Sequence, residues 1–387
     1  MKKLILISEN FNSYFGHSFE YFKAIKEEFE SRNIPVEIVG NASIEKSIID
    51  KLKVIPHFTY NQPRLSIGIF SNIRNVIKKR LIHFREFRAL YLKHNAEGVY
   101  FFFDNVAWMN IYIILLATLR IGNKLNLMIM MRYSTQDLFD VTSWQKGVIL
   151  IIYKASLLFI KKKEFILFTD SEPIANELES CYDVKVTILP MPHLNFDKYI
   201  IDMQDIHPLF TCFVPGNLTL PKGEDFVKNL FKFYDKNGLA KNIQFIIQKS
   251  NFDEQLYYNQ FKNLNITIKQ SLSTEEYYHY FNQSDLILVL YNLEFGYRFR
   301  TSGIMAEAIS FNKPIISIQD SWMDSQLKKY DTGMSVRYNN TLEFDARLKT
   351  IITNYSDYKQ KAIYAHKEWK KFNSKSNFFA IFTSTIS

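Results

Sequence analysis

Two short stretches in the second half of the chain combine residue types that could hold a phosphorylated ligand. In the first, Gly216-Asn217-Leu218-Thr219-Leu220-Pro221-Lys222-Gly223 follows an apolar run and precedes a helical pattern. Glycine lets a backbone approach a ligand closely. A lysine at a helix entrance, beside N–H groups that have no intrahelical partner, suits phosphate oxygens. In the second, Tyr297-Arg298-Phe299-Arg300-Thr301-Ser302-Gly303 leads into a helical pattern over 304–310 that contains Glu307. Ser302 and Gly303 could offer N–H donors to a diphosphate, and Arg298 and Arg300 could neutralise it through bidentate contacts. Glu307, about one turn inside, has two oxygens that could accept both hydroxyls of a ribose. A plainer reading stays open, with Thr301 or Ser302 as a simple helix cap and with Glu307 and Lys222 in solvent.

The elements that would position these residues follow from hydrophobic rhythm. Short β-branched or Leu-rich runs at 4–8, 35–39, 98–103, 127–131, 165–169 and 185–189 alternate with helical patterns such as 18–31, 67–94 and 107–120. The rhythm resumes with runs at 209–214, 243–248, 266–269, 286–290, 314–318 and 334–337. It predicts βαβ units and a largely parallel sheet in each half, an α/β protein of two Rossmann-like domains facing each other across a cleft. The stretch 190–208, with three prolines and with His193 and His207, loses periodicity and reads as a linker. The expected domains are residues 1–200 and 208–354. Ligands of such sheets bind beyond the carboxyl ends of the strands.

At 387 residues the chain is too long for one ordinary core. Hydrophobic content of 47% with 22% charged residues is that of a globular protein. Two cysteines, Cys181 and Cys212, exclude a disulfide scaffold or a zinc ribbon and fit a reducing cytoplasm. The first apolar run ends at Ser8-Glu9-Asn10, too short for a secretory signal. No stretch approaches the ~18 apolar residues of a spanning helix. The net charge of +9 is concentrated: Arg64, Arg74, Lys78, Lys79, Arg80, Arg85, Arg88 and Lys93 stand against Glu86 alone. Ile69, Ile73, Val76, Ile77, Leu81, Phe84, Phe87 and Tyr91 recur there at helical spacing. A basic amphipathic helix over 64–93 suits an anionic membrane surface, or else packs inward through its apolar stripe. Nothing beside it suggests nucleic acid.

The second half resembles the retaining GT-B glycosyltransferases, above all glycosyltransferase family 4. That family's G-R-L-x-x-x-K-G loop is matched by Gly216, Leu218, Lys222 and Gly223, with Asn217 in place of the arginine. Its glycine-rich segment and L-E-A-x-A-x-G-K-P-V-I resemble Ser302-Gly303-Ile304-Met305-Ala306-Glu307-Ala308-Ile309-Ser310-Phe311-Asn312-Lys313-Pro314-Ile315-Ile316. Looser counterparts are Gly16-His17, Thr169-Asp170-Ser171 and Asp331-Thr332-Gly333. The family's paired acids, E-x7-E, are not both present: Phe299 stands eight residues before Glu307, and Glu294 would be a displaced first acid.

The resemblance implies transfer of a sugar from a nucleoside-diphosphate sugar, favouring UDP, to a glycan or polyprenyl-linked acceptor in bacterial surface polysaccharide or glycoconjugate synthesis. Gly16, Gly216, Asn217, Lys222, Arg298, Ser302, Gly303 and Glu307 would bind the donor. Glu294, Arg300 and His17 would act at the reacting centre. Arg132 and Asp104, and less directly Asp170, lie at strand ends where the acceptor belongs. His17 could equally cap the following helix, and Arg132 could equally be a surface residue. The chain holds no D-x-D, so cations and helix-end N–H groups would replace a metal, and no cofactor is expected. Helices over about 355–387 would return to the first domain, as in the family. The location implied is cytoplasmic, at the inner face of the membrane. Two alternatives remain: a sugar-nucleotide epimerase on the same scaffold, and a non-catalytic nucleotide-sugar-binding subunit.

Overall fold

Thirteen strands form two sheets among the described residues. The computed structural model describes all residues except 14–17, 60–72, 107–109, 122–124, 138–142, 193–198, 201–208, 239–240, 251–260 and 387, and gives backbone alone at 73–77, 79, 137 and 143–145. The chain divides into two compact units, Met1–Leu194 with Asn373–Ser387, and Asn195–Phe372.

In the first unit the strands are β1 (Lys3–Ile7), β2 (Val36–Asn41), β3 (Ile55–Phe58), β4 (Val99–Val106), β5 (Asn126–Met131), β6 (Ile166–Thr169) and β7 (Val186–Ile188). They pair in parallel in the order β3-β2-β1-β4-β5-β6-β7. A parallel sheet covered on both faces requires strands that are apolar throughout, and Leu4 to Ile7 are all buried. β4 shows how the two-residue period serves two layers. Phe101 and Phe103 meet Tyr91 and Phe87 of helix Ile73–Lys93, at ring separations of 5.3 and 5.5 Å. Phe102 points the other way, to Phe382 at 5.4 Å. β3 was not legible in the sequence because Pro56 and His57 interrupt its pattern; it survives as the sheet's edge, where a missing N–H costs least.

The second unit holds β8 (Phe210–Val214), β9 (Ile243–Gln248), β10 (Asn265–Lys269), β11 (Leu286–Val289), β12 (Ile315–Ile318) and β13 (Gly333–Val336). The order β10-β9-β8-β11-β12-β13 is again parallel. In both sheets the strand order reverses beside the first strand, between β1 and β4 and between β8 and β11. At such a point neighbouring loops turn apart and leave room for a ligand.

The tail does not return as one piece. Helix Tyr355–Phe372 belongs to the second unit, where Trp369 packs on Trp322 and Tyr330 at 6.5 and 5.8 Å. Helix Lys375–Ile386 joins the first unit. Its Phe378 and Phe382 are fully buried against Phe29, Phe102 and Phe168. Truncating a buried aromatic of this kind costs about 3–5 kcal/mol. Phe382→Ala is therefore expected to destabilise the first unit by that order in urea denaturation followed by tryptophan-independent circular dichroism; a loss below about 1 kcal/mol would mean the tail is not part of that core.

Candidate functional site

The loop after β8 and the segment after β11 meet at the crossover of the second sheet. Gly223, at φ +88°, lies so close to the end of β11 that a Cβ there would stand 1.9 Å from the Leu290 carbonyl oxygen. Only glycine allows this approach. The Asn292 N–H donates to the Pro221 carbonyl at 3.0 Å, tying the two loops together. Gly216, at φ +77°, donates its N–H to Gln248 Oε1 at 2.9 Å. A Cβ on Gly216 would meet Ile304 Cδ1 at 2.9 Å and Lys222 Nζ at 3.0 Å. The ammonium of Lys222 thus lies against a bare backbone, beside the helix that carries Glu307.

That helix, Gly303–Ser310, is capped by Ser302, whose Oγ accepts from the Met305 N–H at 3.2 Å. Ser302 also donates to Tyr291 Oη at 3.4 Å. The plain cap and the ligand-facing helix start are one feature, but the companion expectation of a solvated Glu307 fails. Glu307 is 5% exposed, and Tyr277 Oη donates to its Oε2 at 2.6 Å. Burial pushes its carboxyl up to about 7, against the opposing pull of the Tyr277 hydroxyl and Lys222. Burial likewise lowers the Lys222 ammonium, and Glu307 opposes that shift. Each charge is the other's partial compensation in a place that favours neither.

Around these two residues the Tyr291 ring lies 4.5 Å from that of Tyr297, tilted by 52°, and the Arg300 guanidinium sits 5.3 Å from the Tyr297 ring centroid. Arg298 is exposed, with its carbonyl accepting from the Trp322 N–H at 2.8 Å. Asn217 is exposed and its Oδ1 accepts from the Ser250 N–H at 2.8 Å. Glu294 is exposed in the turn Leu293–Phe295, within electrostatic reach of Tyr338. The structure therefore gathers Gly216, Lys222, Ser302, Gly303 and Glu307, with Arg300 reaching them through aromatic rings. Tyr277, Tyr291 and Gln248 were missed by sequence reasoning. A tyrosine inside an amphipathic helix or after a buried strand carries no signal of what its hydroxyl will meet.

A second polar cluster lies at the carboxyl side of the first sheet. Asp104 near the end of β4 and Asp170 after β6 are 4% and 5% exposed. Arg132 follows β5; its Nη1 is 3.3 Å from Asp170 Oδ2 and its guanidinium is 5.3 Å from the Tyr21 ring centroid. Arg132 is thus tied to a buried carboxylate, with its own side chain 26% exposed. Burial raises the Asp104 carboxyl to about 6, opposed by Arg132 and by a hydrogen bond with Ser8. Asp104 Oδ1 and Arg132 Nε are buried with no hydrogen-bond partner, an arrangement that leaves bonding capacity for a ligand. Beside them Glu9 Oε2 is 2.6 Å from His83 Nε2, both fully enclosed. Gly16, His17, His193 and His207 lie outside the described residues.

The helix Ile73–Lys93 does not offer its described apolar stripe to solvent. Phe87, Leu90, Tyr91 and His83 are buried, and of the expected stripe Leu81 is 51% exposed. Arg80 donates to Asn110 Oδ1, Arg88 Nη1 donates to the Leu119 carbonyl at 2.7 Å, and Glu86 accepts from the Thr59 N–H at 2.7 Å. The inward-packing reading holds for this part, and residues 64–72 lie outside the described residues.

Linkage gives this site a signature. With Glu307 held near 7 and its ordinary value at 4.5, the folded chain keeps a proton that the unfolded chain has released. The resulting stabilisation is complete below the ordinary value and is lost as pH rises through the folded value. Glu307→Gln should flatten that part of the slope relative to the parent in denaturation series from about pH 4 to about pH 8. Identical slopes would mean the carboxyl titrates normally.

No family model matches the sequence, and no curated protein matches it. Solved structures do match across the whole chain. Sucrose-phosphate synthase of Thermosynechococcus elongatus superposes with a TM-score of 0.70 at 12% identity, covering 99% of this chain and 98% of that one. HepE of Anabaena, solved in complex with UDP, gives 0.68 at 11% identity, covering 100% and 99%. The lipopolysaccharide outer core galactosyltransferase WaaB gives 0.65 at 15% identity, covering 99% of each. These neighbours are GT-B glycosyltransferases, and the fold of this chain, two parallel sheets flanked by helices, is the GT-B fold.

Proposed function

We propose that the chain is a metal-independent glycosyltransferase. It would move a sugar from a nucleoside-diphosphate sugar, with UDP favoured, to a glycan or polyprenyl-linked acceptor in bacterial surface polysaccharide or glycoconjugate synthesis. The observation that carries this reading is the desolvated Lys222–Glu307 pair beside the capped start of helix Gly303–Ser310. HepE is solved with UDP and with UDP-glucose, which supports the choice of base.

The roles follow from charge. Breaking the bond between the sugar and the diphosphate leaves negative charge on the departing oxygens, and preorganised donors in a dry site stabilise it most. Lys222, whose ammonium lies against Gly216, is the central cation; Arg300, Arg298 and the N–H groups at Gly303 complete the neutralisation. Glu307 accepts the two ribose hydroxyls through its oxygens, with Tyr277 holding it in place. An anionic diphosphate beside Lys222 also restores the partner that burial denies it. Gly216 keeps the floor of the site open, and Asn217 lines its rim. Glu294 faces the transferred sugar. Retention at the anomeric carbon is proposed as in the resembling family. The second unit, Asn195–Phe372, is the donor domain, and the first, Met1–Leu194 with Asn373–Ser387, takes the acceptor through Asp104, Arg132, Gly16 and His17. A polyprenyl-linked acceptor places the work at the inner face of the cytoplasmic membrane.

A thermal-shift panel of UDP, GDP, dTDP, CMP and their sugars should show the largest upward shift for UDP or a UDP-sugar. Lys222→Ala is expected to lower donor turnover by about 10²–10³-fold, the cost of losing one transition-state donor, with an unchanged melting temperature. Turnover near that of the parent would remove Lys222 from the mechanism. Nucleotide binding without hydrolysis or transfer of any donor would instead identify a non-catalytic subunit. Gly216→Ala should weaken nucleotide binding at least tenfold in calorimetry, because its methyl group meets Ile304 and the Lys222 ammonium and its φ is strained for any other residue.

A further inference from the structure

Three helices, Ile73–Lys93, Ile111–Leu116 and Ser143–Lys163, pack in succession along the first unit. Helix Ser143–Lys163 is apolar on two opposite sides. Tyr153, Ser156, Leu157 and Ile160 are buried against the unit. On the outer side Val148, Ile151, Ile152 and Leu158 are 47%, 71%, 39% and 57% exposed. At 100° per residue these four, with Ala155, fall on one stripe about three turns long. Leu116 and Leu119, on and just after the helix that packs beside it, are exposed too, as are Leu81 and Leu92 on helix Ile73–Lys93. Isolated exposed leucines are ordinary, but a contiguous apolar stripe on a soluble unit marks a contact surface.

The charge around the stripe says what it meets. Residues 143–163 contain Lys146, Lys154, Lys161, Lys162 and Lys163 and no acid; residues 111–121 contain Arg120 and no acid. Helix Ile73–Lys93 adds exposed Lys78, Arg85 and Lys93, and its one acid, Glu86, is engaged by Thr59. Lys161 is paired across the surface, to Asp183 at 2.5 Å. Apolar side chains between lysines match a bilayer interface, where acyl chains take the stripe and anionic headgroups take the ammonium groups. A second copy of the chain fits poorly, because a face-to-face pair would set one acid-free basic helix against another. No described helix is long and apolar enough to cross a membrane, so the element lies along the interface.

We infer that the outer face of helix Ser143–Lys163, with Leu116 and Leu119 beside it, docks the first unit onto an anionic lipid surface. This places the membrane contact on a different helix from the one whose composition suggested it, since the described stripe of helix Ile73–Lys93 turns mostly inward. The inference needs no sugar transfer: the face would bind lipid whether or not the second unit binds a nucleotide.

The test is flotation of the full chain with vesicles of phosphatidylcholine alone and of phosphatidylcholine with phosphatidylglycerol, at low and high salt. The parent should float with the anionic vesicles only, and less at high salt. The double variant Ile151→Glu, Leu158→Glu should lose at least tenfold in vesicle partition. Lys154→Gln with Lys162→Gln should lose the dependence on phosphatidylglycerol. Both sets of substitutions are exposed, and unchanged circular dichroism melts together with an unchanged UDP thermal shift would show that fold and donor site are intact. Equal flotation of the parent and the glutamate variant would overturn the inference. So would a parent that ignores vesicles and instead forms a dimer dispersed by Ile151→Glu in analytical ultracentrifugation. A chain that floats as expected but takes no nucleotide would retire the proposed transferase and leave the docking face standing.

Discussion

Glu307 is held out of water and Lys222 is half-buried at the point where the second sheet changes direction, and much of the local structure serves to keep them there. Neither charge is comfortable: burial pulls the lysine down and the glutamate up, and their mutual attraction only partly offsets it. Opposite charges withdrawn from water in this way are a poor source of stability, because desolvation can exceed the Coulombic gain. Its retention makes sense as a function that a bound anion would complete. The Gly223 approach to Leu290, the Asn292–Pro221 hydrogen bond, the Ser302 cap and the Tyr277 hydroxyl all constrain the same few side-chain atoms. Such a shell limits the reorganisation needed when a ligand arrives.

The first unit has its own buried polar cluster at the equivalent end of its sheet, but a different electrostatic character. Arg132 is already paired with Asp170, and Asp104 is protonated over much of the mildly acidic range. This is a hydrogen-bonding environment for neutral hydroxyls more than a cradle for phosphate. The two units thus differ in charge: cations gather around Lys222 in one, and a compensated polar cluster lies in the other. The same unit carries its surplus positive charge on the outside of its helices, away from the polar cluster.

The two parallel sheets were legible in the sequence, and the residue types at 222 and 307 marked them as candidates there. Apolar runs of five or six residues between helical periods can bury both faces only as strands between helix layers, so periodicity carries that information. Glycines at 216 and 223 marked a backbone that approaches something closely. Short irregular elements were not legible: β3 is broken by Pro56 and His57, and the helical pattern of 107–120 yields only Ile111–Leu116 before Arg120 turns left-handed at φ +59°.

Residue type and spacing by themselves determined which groups could do chemistry, and left each with a bland twin: Glu307 on a solvated face, Arg132 on the surface, a basic helix either on a membrane or in a core. Tertiary structure decided among these, because burial and partners are set by what packs from elsewhere in the chain. Glu307 became an interior acid through Tyr277, thirty residues away in another helix. Arg132, still partly exposed, was tied to the buried carboxylate of Asp170. The helix richest in basic residues turned its described stripe mostly inward, while Ser143–Lys163 kept one apolar side in solvent. A one-dimensional pattern shows that a helix has an apolar face; only the neighbours it meets determine how many faces are covered.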